Sequence, residues 1–361
     1  MTDSKRGGDF RRVGETDIMQ RLLKAVHERQ AADAAEAAKK EMESSRVMTR
    51  DERRIVEAAV LVREEEPSAE ELAFMARELV QCTLPHSDPG QVPFWSRRNG
   101  NFMLSMQSGV DPLKNRLIGY PYGSIPRLLL FFLTSEALRK GDRRIVLGAS
   151  YNEFLRQVGY SVHTGGGKRG DATRVKQQAT RLFNTRISFI YGEPEGHQPE
   201  QQRPAIQHAA RHMNVATNVL FWWDTKKPDQ LGLWENSIEL SEEFFKAITA
   251  APVPLDTRAL KALKRSPLAL DLYAWSTHKA LAVHRKGKKQ FVPWRYLAAQ
   301  FGSDYKNHLD FKRKALVTLK RIQQVYPGLK LQVATGGVIV LPESRPSVGS
   351  KPSVRQLEPR K

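Results

Sequence analysis

Between residues 124 and 341 the sequence sets out one order of elements twice, three helices followed by strands. In the first pass, 124–140 predicts a helix, apolar along Leu128, Leu129, Phe132 and Leu133 and closed by Gly141. A short helix over 150–158 is closed by Gly159, and a Gly-rich loop over 163–170 leads into a third helix at 171–183. Strand-like runs follow at 187–191, 215–223 and 237–240. In the second pass, helices are expected at 268–283, at 294–301 (closed by Gly302) and at 309–326, stopped by Pro327-Gly328. Runs at 329–333 and 338–341 then read as a hairpin around Thr335-Gly336-Gly337. The short helices also share wording, Phe154-Leu-Arg-Gln-Val-Gly159 against Leu297-Ala-Ala-Gln-Phe-Gly302. This order is that of a winged helix-turn-helix. The expected fold is therefore α+β: two tandem winged-helix domains at 124–250 and 251–342, with 187–191 and 215–223 forming the first wing.

The remaining chain is less regular. Residues 1–16 read as disordered, and 17–43 as an alanine-rich helix with almost no large apolar face, suited to a solvated helix or tether. A coiled-coil arm there would need a sustained heptad, which the stretch lacks. Ser68 and Glu71 form a capping-box pattern, and Leu72, Met75 and Leu79 recur at helical spacing, so 68–81 predicts a helix. Pro85, Pro89, Pro93, Pro112, Pro121 and Pro126 interrupt the next segment, which reads as irregular with one strand candidate at 102–106. The expected organisation is a helical or partly disordered N-terminal region over 1–90, a linker over 91–123, the two domains, and a disordered basic tail over 343–361.

Charge narrows the function. Lys and Arg number 58 against 39 Asp and Glu, a net charge of +19. Residues 1–90 carry −4, residues 91–251 carry +7 and residues 252–346 carry +13. A solubilising surface intersperses the two signs; the later half does not, which points to a polyanionic partner, nucleic acid first and an anionic membrane second. No apolar run approaches the length of a membrane span, and the first residues lack an apolar signal core, so a cytoplasmic, membrane-free protein is expected. Cys82, the single cysteine, leaves no intramolecular disulfide or CxxC site.

A helix that reads DNA buries one face and offers basic and amide side chains on the other. In the third helix of the first pass, Val175, Ala179, Leu182 and Phe183 share a face, and Arg174, Gln177, Gln178 and Arg181 lie opposite, with Lys168 and Arg169 just ahead. In the corresponding second helix, Phe311, Ala315, Leu319, Ile322 and Tyr326 form the inward stripe. Arg313, Lys314, Lys320, Arg321 and Gln324 face away from it, with Lys306 before them. Arg285, Lys286, Lys288 and Lys289 flank Gly287 in the preceding loop, where they suit phosphate contacts. Neither outward face carries a Glu, unlike an ordinary solvated helix.

Catalytic patterns fare poorly. Gly165, Gly167 and Gly170 match GxGxxG in spacing, but no strand precedes them, and no Walker A loop occurs. His208 and His212 lack a third ligand of sensible spacing, and no His-x-His pair of the nickase type is found. Tyr273, Tyr296 and Tyr305 sit among apolar neighbours, and Trp222-Trp223 suits a strand with one ring inward. A binding protein without catalytic site, metal or cofactor is expected. A DNA-binding transcriptional repressor with the same two-domain reader and no initiation role is the alternative; a nickase or recombinase and a basic membrane-surface protein rank below it.

Several blocks resemble the plasmid-encoded RepA family of replication initiators. They are Gly123-Ser-Ile-Pro-Arg-Leu-Leu-Leu130, Thr134-Ser-Glu-Ala137, Leu147-Gly148, Phe154-Leu-Arg-Gln-Val-Gly159, Thr164-Gly-Gly166 and Gln177-Gln-Ala-Thr-Arg-Leu-Phe183. Leu240-Ser-Glu-Glu-Phe-Phe245, Pro252-Val-Pro-Leu-Asp256 and Ser266-Pro-Leu-Ala-Leu-Asp-Leu-Tyr-Ala-Trp275 follow in the same order. The resemblance spans roughly 120–340. It implies binding to repeated origin sites (iterons) in double-stranded plasmid DNA and opening of an AT-rich segment. It also implies recruitment of the host replication initiator and replicative helicase, and a homodimer in equilibrium with monomer. Residues 1–90 lie outside it, so their removal is expected to spare DNA binding.

Overall fold

Residues 124–140 are apolar on nearly every side, and a helix of that kind needs neighbours all round. The computed structural model describes residues 48–160, 170–192, 208–220, 236–302 and 307–349, with Lys24, Arg29, Gln230 and Tyr305. In it, helix α3 (Ser124–Lys140) buries Ile125, Leu128–Phe131, Leu133 and Ala137 and ends on Gly141, at φ 64°. Before it come α1 (Arg50–Glu64), β1 (Leu72–Ala76), α2 (Arg77–Gln81), β2 (Trp95–Asn99), β3 (Phe102–Gln107), β4 (Val110–Asp111) and β5 (Arg116–Leu117).

Around α3 the first pass reads β6 (Arg144–Gly148), α4 (Tyr151–Gln157), α5 (Asp171–Phe183), β7 (Arg186–Gly192), β8 (His208–Asn214), β9 (Ala216–Leu220) and β10 (Asn236–Leu240). Strands β6, β10 and β9 form an antiparallel sheet with β10 in the middle. After α6 (Glu242–Ala250), β11 (Pro252–Asp256) and α7 (Thr257–Leu263), the second pass reads α8 (Pro267–Lys286), β12 (Gln290–Pro293), α9 (Trp294–Phe301), α10 (His308–Val325), β13 (Leu331–Ala334) and β14 (Gly337–Val340). Its sheet is ordered β12-β14-β13, again with the last strand central. The repeated order is thus helix, strand, helix, helix, strand, strand, once β7 and β8 are set aside. The architecture is mixed α and β, with several small sheets.

Several expectations need correcting. The pair expected as the first wing lies in two sheets: β7 pairs with β3 and β8, while β9 pairs with β10. The reason lies in the segment read as a linker. Phe102, Leu104 and Met106 alternate inward on β3, and β7 covers them with Ile187 and Phe189, so 91–123 supplies half of a four-stranded sheet. The helix expected over 68–81 is a single 3-10 turn, a strand and the short α2. The capping pattern exists, with the Ser68 N–H donating to Glu71 Oε2 at 3.0 Å, but it caps only that turn. All five residues of β1 are buried, so they show no alternation, and β11 gives them a partner. The tail is packed as far as Val348, which lies against Leu72 and Phe74, and the Tyr326 hydroxyl donates to Arg345 O. The helix expected over 17–43 falls outside the described residues except for Lys24 and Arg29, both helical and exposed.

Contacts separate Met1–Arg53 from Arg54–Lys361. Within the second unit, the boundaries expected at 90, 123 and 250 are bridged by β1–β11 and β3–β7 pairing. A buried ion cluster adds a further tie. On α3, Arg127 Nε and Nη2 each donate to the Asp271 carboxylate of α8 at 2.7 Å, and the guanidinium also reaches the carbonyls of Leu84, Pro85 and Gly123. His86 Nε2 lies 2.7 Å from the same carboxylate.

Candidate nucleic-acid interface

The capped, amphipathic α10 provides the clearest surface. Asn307 caps it by accepting from the Asp310 N–H at 2.8 Å. Phe311, Ala315, Thr318, Leu319 and Ile322 are buried, which turns Arg313, Lys314, Lys320, Arg321 and Gln324 outward together. Arg313 is 82% exposed and makes one surface pair with Asp310 at 3.1 Å, an interaction that solvent screens heavily. Lys314, Lys320 and Arg321 have no carboxylate partner among the described residues. Polar counting missed two members of this face, Leu309 and Val317, exposed at 63% and 46%. Their helical spacing from Arg313 was the available signal. Aliphatic groups among cations suit a major groove, where a methyl marks thymine.

The basic cluster before β12 is exposed throughout, but only Lys288 and Lys289 belong to a loop. Arg285 and Lys286 form the last turn of α8, where cations also favour the helix dipole. Gly287 closes the helix at φ 61°, a left-handed position that a residue with a Cβ adopts at a cost.

On α5 the expected face divides. Arg174 and Gln177 are exposed, with Arg174 only loosely paired to Asp171 at 3.5 Å. Gln178 is not a surface residue: it is 4% exposed, and its Oε1 accepts from the Tyr122 N–H at 2.9 Å. Arg181 also turns inward, donating to Asp88 Oδ2 at 2.9 Å and Tyr120 O at 3.1 Å beneath the Tyr122 ring. The physical reason is a second packing partner. Residues 119–122 cover the flank of α5 that periodicity assigned to solvent. Gln178→Ala is expected to lower the thermal midpoint and leave DNA-site preference unchanged, with Gln177→Ala doing the reverse; melting curves beside binding-site selection check both. Lys168, Arg169 and Lys306 lie outside the described residues, as do Gly165, Gly167 and Trp222-Trp223.

The tyrosines considered as nucleophiles differ in setting. Tyr273 is fully buried, its hydroxyl accepts from the Asp256 N–H, and burial raises its pKa well above the ordinary phenol range. Tyr305 packs edge-on to Phe311, and Tyr296 is exposed beneath Arg295. His212 Nδ1 lies 2.7 Å from Ser188 Oγ. Among the described residues no group of three metal-ligating side chains is gathered, and no helix is long and apolar enough to cross a membrane.

Part of the chain that carries this geometry is similar to a known family. Residues 120–295, from the end of the segment covering α5 to the start of α9, match the family described as plasmid encoded RepA protein. The match spans just under half of the chain. The match takes in α3, α5, α8 and the buried Arg127–Asp271 pair, and stops short of α10. Among solved structures, domains 2 and 3 of RctB are similar at 10% identity with a TM-score of 0.43, covering 73% of this chain and 94% of that one. A second structure of RctB domains 2–3 gives 11% identity and a TM-score of 0.41 over the same shares. No curated protein sequence matches the chain.

Proposed function

We propose that the chain starts plasmid replication by gripping repeated origin sequences in double-stranded DNA, which strains an adjacent AT-rich segment toward opening. The exposed cationic face of α10 carries this reading. The twice-repeated element order supports two winged-helix modules, with α10 in the place of the reading helix of the second and α5 in that of the first. Two linked readers multiply modest affinities through high effective concentration. Binding supplies the energy for melting, and flexible AT-rich steps open most cheaply. The bound array then gathers the host replication initiator and replicative helicase, and a dimer in exchange with monomer sets how many copies engage. No catalytic step or cofactor enters this scheme.

The deciding experiment supplies the full chain from one replicon and asks whether a linked origin fragment replicates. Sequence-selective binding with repression but no replication makes the chain a repressor; strand cleavage of supercoiled origin plasmid makes it a nickase. Binding itself should weaken steeply with salt, because each phosphate contacted releases counterions. With about eight contacts, log K against log salt should fall with a slope near −7. A shallow slope in a filter-binding series counts against the interface.

A further inference from the structure

The first half of the fold holds a polar cleft of about 540 Å³ between α5 and the β4–β5 hairpin. One wall presents Gln177, Thr180, Arg181 and Asn184; the other presents Lys114 and Arg116 together with the Asp111 carboxylate. The hairpin is firmly rooted. The Ile118 N–H donates to Gly109 O at 2.9 Å, and Gly109 lies so close to the end of α5 that a Cβ there would come within 2.5 Å of the Asn184 carbonyl oxygen. At its tip the N–H groups of Leu113 and Lys114 donate to Asp111 Oδ1 at 3.2 and 3.3 Å, and Asn115 lies at φ 46°. At this tip Leu113 stands out at 94% exposure, after Pro112 and ahead of Lys114 and Arg116. The acids nearby are matched: Asp111 by Lys114 at 3.3 Å and Asp88 by Arg181 at 2.9 Å, while Arg116 has no carboxylate partner among the described residues.

We propose that this cleft seats the sugar-phosphate backbone of duplex DNA, and that Leu113 enters the neighbouring minor groove as an apolar wedge. The inference rests on the DNA-binding reading above and adds a surface which that reading does not require. Lys114 and Arg116 on one wall and the Gln177 amide on the other match phosphate oxygens, while the Thr180 hydroxyl and the Asn184 amide already donate to the Lys176 and Thr180 carbonyls. An exposed apolar side chain at a hairpin tip beside cations has the composition of wedges that part a base step and kink the duplex. The cleft also replaces the contacts that the buried Gln178 does not offer, and places them beside Gln177.

The test uses the full chain and a duplex enriched by it from a random-sequence pool, labelled at both ends for energy transfer. Lys114→Ala with Arg116→Ala is expected to weaken binding about tenfold and to make the log–log salt slope shallower by about 2. Leu113→Ala should keep the slope and straighten the bound DNA, and Leu113→Met should restore the bend. Wild-type slope and bend in variants that melt like the wild type overturn the proposal. If the hairpin variants are silent while α10 substitutions abolish binding, the cleft alone is wrong. If the wild-type chain enriches no duplex, the DNA-binding reading falls and takes the cleft with it.

Discussion

Arg313→Ala combined with Lys320→Ala should abolish sequence-selective DNA binding while leaving the fold intact. Both side chains stand on the solvent face of α10, and neither contributes to the stripe of Phe311, Ala315, Leu319 and Ile322 that holds the helix down. Surface substitutions of this kind usually change stability by about 0.5 kcal/mol or less. A bidentate base contact is worth about 1–3 kcal/mol and phosphate contacts add to it, so losing two cations from one reading face should cost at least a hundredfold in affinity. Footprinting on origin DNA together with a melting curve separates the outcomes. A retained footprint rejects α10 as the reader; a lost footprint with an unchanged midpoint supports it.

Asp271→Asn should produce the largest stability effect. The carboxylate is buried and receives two hydrogen bonds from Arg127, whose side chain is 1% exposed. Removing one partner of a buried pair strands the other charge, at a cost of about 3–5 kcal/mol. The pH dependence follows from the same cluster. Arg127 and His86 hold the Asp271 carboxyl far below the ordinary range despite its burial, so its stabilisation is present above the unfolded value near 4 and is lost only as pH falls through the lower folded value. Burial lowers the pKa of His86. Below about pH 6.5 the unfolded chain therefore takes up a proton that the folded chain refuses, and stability declines from there downward. Burial also lowers the pKa of His278, to about 4, so denaturant unfolding of the wild type should show that decline between pH 7 and 5, and His86→Gln should lessen it while His278 keeps the remainder. A wild type whose stability does not vary across this interval contradicts the assignment.

Much of the helical framework was legible because its stops are local. Gly141 and Gly302 end helices expected at those positions, and Ser150 accepts from the Glu153 N–H as a cap should. The strands were harder. In each pass the first strand, β6 or β12, is only four or five residues long, and β1 is buried along its whole length, so alternation never develops. The site divides on similar grounds. α10 has one covered side, and a 3.6-residue count finds the other. α5 has a second covered flank made by residues 119–122, some fifty positions earlier in the chain, and a periodic count includes no such distant partner. Gln178 and Arg181 were placed in solvent for that reason.

The pairing of β1 with β11 alters how the molecule can be dissected. A shortened protein starting at residue 91 would lack the strand that covers Pro252–Asp256, together with the carbonyls of Leu61 in α1 and of Glu65 just after it, which hold Arg258. It would present a raw sheet border, an invitation to clumping, and would leave Arg258 with Asp256 as its remaining partner. Any loss of activity in such a fragment would then report collapse of the scaffold. A trimmed version meant to isolate the gripping surfaces should keep everything from the start of α1 onward.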